Sequence, residues 1–136
     1  MNSYSWDELS IGLRHGFDVT VTQAMMQSFS GLTGDVNPLH LDARYARGRG
    51  FADQVVYGLL ASSFFSTLVG VHLPGRNALL QGINLAFQKP VYVGVPLHVS
   101  AEVTFLSAAY RRIELAGSII ANGEQMSKAK IFVGLL

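Results

Sequence analysis

The sequence predicts an α+β domain spanning residues 1–136, an antiparallel β-sheet wrapped around a long central apolar helix. Three observations carry that expectation. Residues 57–71 carry no formal charge and place bulky side chains on several helical faces, which asks for burial nearly all round. Residues 78–88, 97–106, 111–121 and 125–136 alternate apolar and polar positions, the period of half-buried strands. A single strand precedes the helices, so the order is strand, helices, then a run of antiparallel strands.

Taken in order, residues 12–21 hold β-branched side chains towards their end and predict a first strand centred on residues 17–19. Thr22 is placed to cap a helix over residues 23–32, whose apolar positions Ala24, Met25, Phe29 and Leu32 share one face. Gly34 and Pro38 stop that helix, because proline also pushes Asn37 out of the helical region. Residues 41–47 predict a short helix, capped by Asp42 and ended by Gly48. The apolar helix follows, with Leu59, Leu60, Phe64, Phe65, Leu68 and Val69 as its bulky residues.

Among the later strands, Leu79, Ile83, Leu85 and Phe87 are expected on one face, with Gln81 the exception. Val99, Ala101, Val103 and Phe105 share a face of the next strand, and Ile113, Leu115, Ile119 and Ala121 a face of the third. Asn122-Gly123 marks a tight hairpin into the last.

Composition removes several function classes. Cysteine is absent, which excludes disulfides, thiolate metal sites and a cysteine nucleophile. The formal net charge is +1, and the basic residues form no block beyond Arg44, Arg47 and Arg49, so no nucleic-acid partner is expected. Those arginines fit either attraction to the phosphates of a ligand or a solvated face. Residues 55–71 lack charge but would reach only about 26 Å as a helix, short of the roughly 30 Å hydrocarbon layer, so no membrane span is expected. The first twelve residues lack a basic region leading into an apolar run, and a cytoplasmic protein is expected. Apolar residues make up 49% of the chain and charged residues 14%, which suggests that some apolar surface meets another subunit.

The most unusual stretch is Thr33-Gly34-Asp35-Val36-Asn37-Pro38-Leu39-His40. On one continuous helix Asp35 and His40 would lie about 140° apart, but a break between them lets both point at one spot. A carboxylate beside an imidazole suits proton transfer near neutral pH and activation of a water. From residue types alone, a capped turn followed by a surface histidine is the alternative.

Gly34-Asp35-Val36-Asn37-Pro38-Leu39-His40-Leu41-Asp42 resembles the hydratase motif of the MaoC-like family, the (R)-specific enoyl-CoA hydratases and dehydratases. Val56-Tyr57-Gly58-Leu59-Leu60-Ala61-Ser62 resembles that family's entry into its central helix, and Phe87-Gln88-Lys89-Pro90-Val91-Tyr92-Val93-Gly94 its later strand and turn. The resemblance implies a hot-dog fold, a homodimer with a substrate tunnel along its interface, and reversible hydration of trans-2-enoyl thioesters to (R)-3-hydroxyacyl thioesters. Coenzyme A, or the phosphopantetheine of an acyl carrier protein, would carry the acyl group as part of the substrate, with no other cofactor and no metal.

In that frame Asp35 and His40 surround one water, and which of them is acid and which base stays open. Gly58, at the start of the apolar helix, is the candidate for stabilising the thioester oxygen through its backbone N–H. Asn37 would brace the turn, and Ser66 matches a position that lines the site in the family. Tyr57 stands where the family commonly has histidine and would shape the pocket or the helix entry. His15, His72 and His98 have no acid at useful sequence spacing and read as structural or surface residues. A hot-dog thioesterase and a non-catalytic acyl-carrier-binding module are the alternative functions.

Overall fold

The computed structural model describes residues 1–136. After a short 3₁₀ turn at Trp6–Glu8 come β1 (Arg14–Thr20), α1 (Gln23–Thr33), α2 (Pro38–Leu41), α3 (Ala43–Gly48) and α4 (Gly58–Thr67). The strands β2 (Ala78–Phe87), β3 (Pro96–Ser107), β4 (Arg112–Ala121) and β5 (Glu124–Leu135) follow. They form one antiparallel sheet in the order β1-β3-β4-β5-β2, with α4 packed on it. The first strand thus joins the far side of the C-terminal hairpins, and β1 and β2 are the two edges.

The expected face of β4 is buried as the alternation predicts: Ile113, Leu115, Ile119 and Ala121 all lie in the core. Asn122 and Gly123 take φ of 51° and 74°, the mirror-image turn that matches the twist of two paired strands. Two other strands depart from simple alternation. A register shift between Val103 and Phe105 interrupts β3, so Val99, Ala101 and Val103 are buried while Phe105 is exposed and Leu106 turns inward. A second shift, between Leu80 and Gly82, splits β2: Ile83 and Leu85 are half-buried, whereas Leu79, before the shift, is exposed; Phe87 keeps the face of Ile83 and Leu85 and is exposed at the end of the strand. A bulge adds one residue to one strand, and every side chain beyond it changes face.

The helical region also differs in detail. The helix expected over residues 41–47 is α3, whose start moves to Ala43 because Asp42 leaves helical geometry at φ −125° and ψ 105° and caps it through Arg44 N–H and Tyr45 N–H, as expected. Leu41 instead closes the separate turn α2, which starts at Pro38. The apolar run 57–71 is not one uniform helix. α4 gives way at Leu68–His72 to a π-helical turn. Nor is α4 buried on every face: Ala61, Ser62 and Phe65 face the core, but Leu59 is 62% exposed and Ser63, Ser66 and Thr67 are exposed. Nothing in the protomer covers that outer face. No helix is long and apolar enough to cross a membrane.

The contact between α4 and the sheet is fixed by size. Phe65 lies so close to Gly117 of β4 that a Cβ there would fall 2.7 Å from its ring. A glycine in the strand admits the aromatic ring to the backbone.

Candidate active site

α1 ends because Gly34 takes the left-handed conformation, φ 75°, and its N–H bonds the Ser30 carbonyl at 2.8 Å. The next residues fold on their own side chains. Asp35 Oδ1 accepts from Asn37 N–H at 3.0 Å, and Asn37 Oδ1 accepts from Leu39 N–H at 3.0 Å, capping α2, in which Pro38 is the first residue. Two successive side-chain turns therefore separate Asp35 from His40. Both residues line one cavity of about 500 Å³, together with Tyr57, Gly58 and Leu59 at the start of α4 and Phe87 to Val91 after β2.

His40 is held by its other ring nitrogen. Nδ1 lies 2.7 Å from the Val55 carbonyl oxygen, which can only accept, so Nδ1 carries a proton, and the tautomer this selects has its lone pair on Nε2. Val55 N–H in turn bonds the Leu39 carbonyl at 3.1 Å, so the two segments are tied reciprocally. Asp35 is exposed, whereas Tyr57 is only 2% exposed and reaches across the site. Its hydroxyl donates to the Asp35 carbonyl at 2.7 Å, and its ring lies 4.1 Å from the His40 ring at a tilt of 30°.

Gly58 is the first residue of α4, and no side chain caps that end. First-turn N–H groups have no acceptor within a helix, and Gly58 and Leu59 of this turn line the cavity. A Cβ on Gly58 would fall 3.0 Å from the Phe87 ring, so the ring covers the space a side chain would take.

Of the residues singled out from sequence, Asp35, His40, Tyr57 and Gly58 meet at this cavity, and Asn37 shapes its turn without lining it. Ser66 lies on the exposed face of α4, outside the cavity lining. Arg47 pairs with Asp53 at 3.4 Å and Arg49 stacks over Tyr45, both away from the lining, as is Arg44.

Sequence reasoning passed over Phe29, Phe51 and the buried Ser127, which also line the cavity. Strand alternation would have flagged a buried serine on β5; nothing would have signalled the two phenylalanines. His98 is not without an acid: cross-strand pairing puts Asp18 Oδ1 2.7 Å from its Nδ1, a neighbour 80 residues away that sequence spacing hides. No three His, Asp or Glu side chains converge as a metal site requires.

A family model described as the MaoC like domain matches residues 11–122. The chain belongs to the MaoC-like family. This MaoC-like chain is 32% identical over 131 residues to the (R)-specific enoyl-CoA hydratase of Aeromonas caviae, covering 91% of the chain and 98% of that relative. It is 29% identical over 129 residues to the 3-hydroxybutyryl-CoA dehydratase of Methylorubrum extorquens, covering 90% and 82%. The solved (R)-hydratase of A. caviae superposes with a TM-score of 0.90 at 32% identity, over 94% of this chain and 98% of its own. The five-stranded sheet with α4 on it is the hot-dog fold.

Proposed function

We propose that this chain catalyses the reversible hydration of trans-2-enoyl thioesters to (R)-3-hydroxyacyl thioesters, with Asp35 and His40 as its catalytic residues. The reading rests above all on the break between Asp35 and α2, which opens a carboxylate and an imidazole lone pair onto one cavity that the start of α4 also borders. Hydratases and dehydratases among the relatives support it.

In the forward direction the pair holds one water. Its oxygen bonds to C3 while the C2=C3 π electrons move towards the thioester oxygen. One O–H proton passes to the pair, and a proton returns from the pair to C2, so one water adds with no net change in charge. The anchored His40 offers Nε2 alone to this exchange, and the Asp35 carboxylate supplies the second acceptor. The enolate charge falls on the thioester oxygen, where the Gly58 N–H at the positive end of α4 would meet it.

The acyl group arrives on coenzyme A or on an acyl carrier protein, and the active form is a homodimer. The exposed outer face of α4 and the exposed Leu79 and Leu80 on the β2 edge support the second point.

The test is loss of the conjugated enoyl-thioester absorbance when the protein meets crotonyl-CoA, with chiral analysis of the product. Formation of (R)-3-hydroxybutyryl-CoA without free thiol is expected. Release of free coenzyme A instead would make the protein a thioesterase. Inactivity with coenzyme A and carrier-protein enoyl thioesters of short and long chain would overturn the assignment.

A further inference from the structure

We propose that Tyr57 is the positioning residue of this site, one buried side chain that fixes the Asp35 turn with its hydroxyl and the His40 ring with its face. The proposal rests on the hydratase reading and adds a residue to it. Three contacts carry it. The Tyr57 hydroxyl donates to the Asp35 backbone carbonyl at 2.7 Å, 22 residues away in sequence. The Tyr57 ring lies against His40 at 4.1 Å between centroids, with Phe29 behind it at 4.9 Å. Tyr57 also immediately precedes Gly58, the first residue of α4, and its own carbonyl accepts the Ala61 N–H at 3.1 Å. The carboxylate turn, the imidazole and the free amides of α4 are therefore registered against one residue.

Local bonds alone leave this geometry loose. Asp35 to Asn37 is exposed, and its side-chain turns fix local shape but not distance to the cavity wall. The Asp35 carbonyl has two donors, Tyr57 and the Ser30 hydroxyl at 2.9 Å. Ser30 belongs to the helix leading into the turn, so only Tyr57 joins the turn to the far side of the site.

The experiment is Tyr57→Phe, which keeps the ring and removes the hydroxyl. The Asp35 carbonyl keeps its Ser30 donor, so the variant is expected to fold. With crotonyl-CoA, kcat should fall roughly tenfold while KM changes less than twofold, because a displaced catalytic group slows the chemical step rather than binding. In NMR spectra of the unliganded protein, the Asp35 and Asn37 amides should shift while the His40 ring protons, still over an aromatic face, stay in place. Ser30→Ala should move the same two amides and leave kcat within twofold of wild type.

Wild-type kcat in Tyr57→Phe with unmoved Asp35 and Asn37 amides would overturn the proposal. So would equal losses of kcat in Tyr57→Phe and Ser30→Ala, which would reduce Tyr57 to one of two interchangeable donors. If the wild type turned over no enoyl thioester, the hydratase reading would fall by itself. The spectra would still decide whether Tyr57 holds the turn.

Discussion

Asp35 does two jobs with one side chain, and they separate cleanly. Its Oδ1 accepts the Asn37 N–H and so shapes the turn, while in the proposed reaction its charge serves the chemistry. Asp35→Asn keeps an oxygen for that bond and removes the charge. Its thermal midpoint should stay near that of wild type while kcat falls by roughly 10² to 10⁴, the range for a lost acid–base group. His40→Ala should lose a similar factor and also free the Val55 carbonyl, so a small drop in midpoint is expected in calorimetry. Gly58→Ala tests the other end of the site. Its Cβ would press the Phe87 ring from 3.0 Å, and an exposed ring can swing aside. Stability should therefore change little while the displaced ring crowds the start of α4, lowering kcat/KM on crotonyl-CoA at least tenfold, which steady-state kinetics would check.

At the scale of elements, α4 and β4 stand or fall together. Phe65 is 1% exposed and sits over Gly117, with no room for a further methyl group. Phe65→Ala should cost about 3 to 5 kcal/mol, and Gly117→Ala about 1 to 3 kcal/mol from overpacking, both read from urea unfolding. Leu60 and Phe64, equally apolar in sequence, are only half-buried and should cost less. That contrast shows where the sequence was legible. The capping threonine, the mirror-image hairpin at Asn122-Gly123 and the buried face of β4 follow from local rules, and so does the broken turn that leaves Asp35 and His40 on one cavity. The bulges in β2 and β3 do not, because they depend on how paired strands twist. The depth of each α4 residue was equally hidden, since burial depends on a sheet assembled from the chain's other half. His98 is the same lesson in a single side chain: its acid is a neighbour only once β1 lies beside β3.

The whole molecule carries apolar surface that its own chain does not cover. Leu79 and Leu80 are 49% and 43% exposed on β2, a strand with a free backbone edge, and Leu59 is 62% exposed on the outer face of α4. Isolated exposed leucines are ordinary, but a row of them on an unpaired edge invites a second strand. A two-fold pairing of β2 edges would continue the sheet through both copies and close the pattern, because each copy presents the same surface. Sedimentation equilibrium should then give about twice the 14.7 kDa of one chain. Leu79→Glu with Leu80→Glu replaces side chains that contribute little to the protomer core, so the variant should keep its sheet by circular dichroism. Like charges facing each other across the edge would split the dimer, and the variant should sediment as one chain. Cavity-lining Leu59 and Phe87 are themselves exposed in the lone protomer, so the monomer should also lose most of its activity on crotonyl-CoA. A wild-type protein that sediments as a single chain at assay concentration and turns over at full rate would show that the edge stays open and the cavity is complete without a second copy.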